Sequence, residues 1–406
     1  MSACVRWPLG FPMRVMMLVA WVGAARGAPP GVPWGPEVRS LELRETSPAR
    51  HRPGATTPRY GLVAKGTRVA WTEVRETGEA GCPRWVGIAP RGWLCTDEVV
   101  PSTEPPTTED LPRLAPGQIV PTRFDPREAR APDAVLSTAL VDDAHQRRCD
   151  VAPTWRADTT REREDVSDFA GVRLDCPGAP ALPFAWVQSA RSVKRPVEVR
   201  AAPSASAAVL RRLAPRTILP MTEPLTRQDG YVRVEGDGWI FARDLRVARR
   251  APSPAGLRPD ERWFDIDLAE QVLVAMVGDR PFHATLVATG MGETPTPTGI
   301  WRVRIKRTVA LMRGADYRVQ VPWTMYLDDY YAIHSAYWHD RYGNRTSHGC
   351  VNLPPIDARV LFHWAGPPVP PGWASVRGEA SNPGTLVRIR DGLRLNVPVH
   401  GYAREL

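Results

Sequence analysis

Forty-three prolines distributed through 406 residues set the first limit on this chain. Proline fixes φ and supplies no backbone N–H, so a density above the usual share of about 5% breaks long helices and leaves short elements joined by stiff segments. A helical bundle is excluded. "PSTEPPTTEDLPRLAP" (101 to 116) and "ARRAPSPAGLRPD" (248 to 260) combine Pro, Ser, Thr and charge without apolar periodicity, as linkers do. At about 100 to 200 residues per domain the length allows two to four units. The linkers separate a front, a middle and a back.

The front and middle share a weak repeat. "RWVGIAPRGWLCTDEV" (84 to 99) and "YVRVEGDGWIFARDL" (231 to 245) both run aromatic, alternating apolar, glycine turn, Gly-Trp, two apolar residues, then an acidic and an aliphatic residue. "VEVRAAPSASAAVLRRLAPRTIL", upstream of the second copy, reads as strands split by small-residue turns. Both copies therefore read as small β-barrels, over 36–100 and 193–248, and their pattern resembles bacterial SH3-like modules of cell-wall enzymes. Trp93 and Trp239 fit a core or a ligand platform equally well. Residues 117–192 carry no assignable motif and read as a β-rich module of unknown role.

Compartment is encoded at the N-terminus. Arg14, the apolar run Val15 to Ala25 and the small residues "GAARGAPPG" follow the order of a secretory signal peptide, with cleavage expected near Ala28. That run falls short of the ~20 residues needed to span a bilayer, and Arg26 with Pro29-Pro30 prevents its extension, so no stable membrane span is expected. The expectation is export to the periplasm or cell envelope. Cysteine arithmetic agrees: Cys82 with Cys95 and Cys149 with Cys176 form two locally spaced pairs suited to disulfides, Cys4 leaves with the signal peptide, and Cys350 is left over.

A formal charge of +9 comes almost wholly from arginine, with Lys65, Lys194 and Lys306 the only lysines. The basic residues are scattered, without the stripe and interleaved aromatics of a nucleic-acid reader, so nucleic acid is not an expected partner. A positive surface does favour proximity to an anionic envelope polymer.

The last 150 residues read as mainly β. "WFDIDLAEQVLVAMVGDRPFHATLVATG" (263 to 290) gives strands about a Gly278-Asp279 turn, "TPTPTGIWRVRIKR" (294 to 307) a turn-rich loop feeding a strand, and "WTMYLDDYYAIHSA" (323 to 336) an aromatic strand ending near His334. "PPIDARVLFHWAG" (354 to 366) predicts a short helix with proline in its first turn and a glycine stop, and "GTLVRIR" (384 to 390) a closing strand.

Between them lies "TSHGCVNLP" (346 to 354). A free cysteine titrates near ~8.5 and needs an imidazole or backbone dipoles to attack well at neutral pH. His348 would share a face with Cys350 if 347 to 351 were extended, about 6 to 7 Å away. His334 is a second candidate base, returned by a loop that can turn at Gly343-Asn344. Gly349 permits close approach of backbone N–H groups to an oxyanion, and Asn352 could orient a histidine or a substrate carbonyl. His334, His339, His348 and Cys350 match no common zinc spacing, and no second cysteine lies nearby, so no metal is expected.

"AIHSAYWHDRYGNRTSHGCVNLP" resembles the signature of the L,D-transpeptidase (YkuD-type) family, and "TPTPTGIWRV" its other recurring element, over about residues 260 to 392. The resemblance implies a β-rich catalytic domain (261–392, with a tail at 393–406) preceded by the linker 249–260 and the SH3-like barrels. It implies Cys350 as nucleophile, His334 as general base and Ser335 as the carbonyl that orients the imidazole. His348 and Gly349 would line an oxyanion site with the Cys350 amide, supported by Asn352. Tyr326 or Tyr331 would face the thiol. The choice of His334 over His348 comes from the family and not from the residues themselves. Peptidoglycan stem peptides are the implied donor and amine acceptor, with no metal or cofactor; water as acceptor (a carboxypeptidase) or a non-catalytic wall-binding protein are the alternatives. Only twelve residues separate His334 from Ser347, fewer than is usual for the family, which implies a trimmed loop over the site.

Overall fold

The computed structural model describes residues 34–110, 169–236, 238–314 and 318–404. The expected signal peptide, residues 111–168 and Cys149 lie outside the described residues. As expected the chain is mainly β: among the described residues the strands form five sheets and Pro355–Trp364 is the only α-helix.

The two repeat copies have the same strand order. In the front copy Arg68–Val69, Ser40–Leu43 and Val99–Ser102 form one small sheet, and Arg59–Val63, Ser47–Arg50, Trp93–Cys95, Arg84–Ile88 and Trp71–Glu76 follow one another in a second. The middle copy repeats this with Ile218–Pro220, Phe184–Val187 and Leu245–Ala248, then Val209–Leu213, Val197–Arg200, Gly238–Phe241, Tyr231–Val234 and Arg227–Gln228. Each is a pair of small sheets; the closed barrel expected from the pattern is not formed. The second copy's pairing begins at Phe184, ahead of the expected start at 193, because "FAWV" is buried along its whole length and cannot sit in a solvated connection. Cys82 and Cys95 are disulfide-bonded as expected, with Cα atoms 5.8 Å apart. Cys176 is disulfide-bonded as well, and its expected partner Cys149 lies outside the described residues.

The copies are fused to the back domain and not strung beside it. Arg59–Val63 pairs antiparallel with Trp373–Arg377, which carries the front strands into a ten-stranded sheet ending at Val351–Leu353. Gly61 permits the approach, since a Cβ there would overlap Ser375 O and crowd the Trp373 ring. In the middle copy the equivalent strand, Val209–Leu213, is an exposed edge guarded by Arg211 and Arg212, charges that discourage edge pairing.

A six-stranded sheet lies between two cores. One face (Phe264, Ile266, Leu273) packs on Trp323, Met325, Ile333, Val351, Leu353 and the helix residues Leu361 and Phe362. Its other face (Trp263, Val272, Val274, Met276) packs on Phe184, Trp186 and Ala248 of the middle copy and on Tyr342. Its strands Arg262–Asp267, Val272–Val277 and Arg280–Leu286 show that the sequence 263 to 277, read as one strand, contains a hairpin of its own. Leu386–Arg390 joins the sheet parallel to Arg262–Asp267.

The helix starts with proline at its first turn, as read from sequence, and ends on a buried lysine. Lys306 Nζ donates to Phe362 O at 2.5 Å and Ala365 O at 2.6 Å, the orphan carbonyls of the helix C-terminus where the dipole favours a cation. Burial nevertheless pushes the ammonium down to about 7. Lys306→Met should lower stability by about 2 kcal/mol, read from the urea midpoint at pH 6, because two buried carbonyls lose their donor. As Lys306 titrates more readily in the native state than in the unfolded one, wild-type stability should also gain from this group as pH rises from 7 toward 10.

Candidate active site

The strand Ala332–Ser335 pairs parallel with Val351–Leu353, in the register Ile333 with Val351, His334 with Asn352 and Ser335 with Leu353. Ile333, Val351 and Leu353 belong to the core beneath the sheet. Alternation therefore turns His334 and Asn352 to the opposite face. Cys350 immediately precedes Val351–Leu353, the strand laid beside His334. Parallel neighbours need a connection of a dozen or more residues, and residues 336–350 provide it.

The sulfur is free and half-buried. It lies 3.9 Å from Tyr330 O, and the Ala332 N–H donates to it. His334 is buried, and its Nδ1 lies 2.8 Å from Ser335 O. A carbonyl can only accept, so Nδ1 carries the proton and Nε2 is the basic nitrogen. Burial lowers the imidazole to about 4 and raises the thiol to about 11, with the Ala332 N–H opposing the second shift. Both groups are thus neutral at pH 7. Cys350 alkylation by iodoacetamide should consequently accelerate about tenfold per pH unit between 7 and 10; a plateau below pH 8 would reveal a thiolate–imidazolium pair formed before substrate arrives.

Residues 348 to 350 form bends between the Ser347 bridge and the strand at Val351, so His348 and Cys350 do not share a strand face. The chain turns at Gly349 (φ +117°), where a Cβ would also stand 3.0 Å from the Tyr331 ring. His348 is exposed. The Gly349 N–H donates to Ser347 Oγ at 3.1 Å. Ser347 Oγ in turn donates to Cys350 O at 2.5 Å. Among the described residues the Cys350 N–H has no protein acceptor, which leaves it as the available amide donor of this turn. Of the two tyrosines considered, Tyr331 lies against the turn, whereas Tyr326 stacks under Arg307 in a neighbouring strand.

Asn352 points to a histidine that was considered in the sequence only as a metal ligand. Its side-chain amide lies 3.0 Å from His339 Nε2, while His339 Nδ1 accepts from the Arg341 N–H at 3.1 Å. Burial lowers His339 to about 4. Thr296 was also missed. Its hydroxyl accepts from Gly290 N–H at 2.9 Å and donates to Gly349 O at 2.8 Å, fixing the peptide before the cysteine. The signal was the "TPTPTG" stretch itself, whose middle threonine is the only one buried in this way among its three. The tail covers the far side of that stretch: His400 stacks on Trp301 at 4.4 Å and approaches Thr298 O at 3.1 Å.

Residues 261–389 match the family model of YkuD, the L,D-transpeptidase catalytic domain. No curated protein matches the chain. Among solved structures, an L,D-transpeptidase from Stackebrandtia nassauensis is 22% identical over 34% of this chain and 58% of its own, with a TM-score of 0.27. This chain thus spans less than two thirds of that protein. The catalytic domain of an L,D-transpeptidase from E. faecium is 25% identical over 32% of this chain and 98% of its own (TM-score 0.26). An L,D-transpeptidase from Mycobacterium smegmatis is 18% identical over 54% and 99% (TM-score 0.27).

Proposed function

We propose that the chain is an exported, cysteine-dependent L,D-transpeptidase acting on peptidoglycan stem peptides. The observation that carries this reading is the parallel register of Ala332–Ser335 with Val351–Leu353, which supports His334, its Nδ1 tied to Ser335 O, as the base for the free thiol at the start of the neighbouring strand. The match of residues 261–389 to the catalytic-domain family supports it, and the Cys82–Cys95 disulfide fits an oxidising compartment. Among the described residues no helix is long and apolar enough to cross a membrane. The sequence pattern of the two repeated copies supports reading them as SH3-like modules of the enzyme.

In this mechanism the Cys350 sulfur attacks the carbonyl on the L-centre side of a diamino acid to D-Ala bond as its proton passes to His334 Nε2. The Cys350 N–H donates to the developing oxyanion. Collapse breaks the C–N bond, the imidazolium proton goes to the departing amine of D-Ala, and a thioester remains. An acceptor amine then attacks the thioester, gives its proton to His334, and the sulfur leaves and is reprotonated. Neutral partners at rest suit this sequence, because the base is unprotonated and the acid forms only during attack.

The test is intact-mass analysis of purified protein with a stem tetrapeptide. The expected result is loss of D-Ala and a thioester adduct on Cys350 that an added amine discharges as a new amide. Discharge at the same rate without amine would identify water as the acceptor, and absence of any adduct would refute the reading.

A further inference from the structure

Where the middle copy meets the back domain there is an open cleft of about 430 Å³, lined by Arg227, Val232, Arg243 and Arg246 on one side and by Gln271 and Arg345 on the other. This is a volume within the range of roughly 300 to 1,000 Å³ typical of small-ligand sites. Its charge is one-sided. Glu270, the carboxylate in the lining, has both oxygens engaged, by Arg249 Nη1 at 2.6 Å and by Val247 N–H at 2.9 Å. Arg345 lies 3.7 Å from Asp391 at the surface. Among the described residues Arg227 and Arg243 are paired with no carboxylate.

Arg246, only 8% exposed, makes the strongest case. Its guanidinium is bonded to neutral oxygens alone: Gly343 O, Arg243 O, Leu245 O and, at 3.2 Å, Asn344 Oδ1. No carboxylate is bonded to it, and although Glu270 and Asp244 offset part of the cost of its burial, that burial still lowers its pKa. An anion seated in the cleft would relieve that cost. Arginine's planar fork suits carboxylates, and the apolar walls at Val232 and Leu245 suit the methyl and methylene groups of a peptide.

The cleft is also wired to the cysteine turn. Gly343 and Asn344, held by Arg246, belong to the connection between His334 and Cys350. Gln271 donates to Thr289 Oγ1 at 2.7 Å, Thr289 O accepts from Thr346 N–H at 2.8 Å and Ser347 N–H at 3.0 Å, and Ser347 Oγ braces Gly349 and Cys350.

We propose that this cleft is a second binding site, which takes a carboxylate-bearing peptide segment of the wall polymer while Cys350 works on another. The proposal rests on the proposed function for its choice of ligand. It is tested on the full chain after Cys350 has been blocked with iodoacetamide, so that the cysteine site does not contribute. Titration with an acidic stem tripeptide lacking D-Ala should show binding that weakens with salt and falls at least tenfold in an Arg227→Ala/Arg243→Ala double variant of unchanged Tm. No binding, equal binding by that variant, or binding of inorganic phosphate but not of the tripeptide would overturn it. Adduct formation by the tetrapeptide on unblocked Cys350 is scored separately: its failure with cleft binding intact refutes the function, and the converse refutes only the cleft.

Discussion

In a His334→Gln variant, acylation of Cys350 by a stem tetrapeptide at pH 7 is expected to slow by roughly two to four orders of magnitude, the usual range for loss of a positioned general base. The thiol's own chemistry gives the upper end. With Cys350 raised to about 11, only about one thiol in ten thousand is ionised at pH 7, and without Nε2 the reaction must draw on that fraction. Glutamine is the informative replacement because its amide N–H can still donate to Ser335 O, the contact that Nδ1 makes, so the fold is retained while the base is lost. The rate of the variant should then recover about tenfold per pH unit as the solution approaches pH 11, whereas the wild type should be nearly flat over the same range. A variant as fast as wild type at pH 7, or one that stays equally slow at pH 10, would mean that His334 does not take the thiol proton.

Parts of this arrangement were visible in the sequence because they are local. Pro355 at the helix start, the Gly278-Asp279 turn and the alternation in "GTLVRIR" each encode a conformation within a few residues. The candidate chemistry was legible for a similar reason: one cysteine left over from the locally spaced pairs, with two histidines near it, stands out in the sequence. What the sequence did not reveal depends on groups far apart along the chain. Gly61 reads as an ordinary glycine in a strand until Trp373–Arg377 is laid against it. Thr296 reaches Gly349 across 53 positions, and His339 meets Asn352 only after the connection has folded back. Nor does spacing say where an N–H points: that of Gly349 is directed by Ser347 Oγ, an acceptor two residues away.

The largest stability effect is expected at Asp265, a site no periodicity would select. On the parallel strands Arg262–Asp267 and Leu386–Arg390, Asp265 pairs with Arg388 and Asp267 with Arg390. The four side chains form a buried charge ladder: Arg388 Nε to Asp265 Oδ1 at 2.7 Å, Arg390 Nε to Asp265 Oδ2 at 2.9 Å, and Arg390 Nη1 to Asp267 Oδ2 at 2.6 Å. Each is at most 4% exposed. Asp265→Ala leaves Arg388 with no carboxylate and Arg390 with one, at a cost of about 3 to 5 kcal/mol. That is a large part of the roughly 5 to 15 kcal/mol that holds a typical domain folded. The ladder lies on the sheet face that also carries Trp263, and Arg388 stands over that ring at 4.9 Å, so the loss should loosen the packing of the middle copy too. The double change Asp265→Leu/Arg388→Met distinguishes the causes. It removes the uncompensated cation together with its partner, and should recover most of the urea midpoint lost in Asp265→Ala. If the double variant is no more stable than the single one, the penalty arises from lost shape in the sheet and not from the stranded guanidinium.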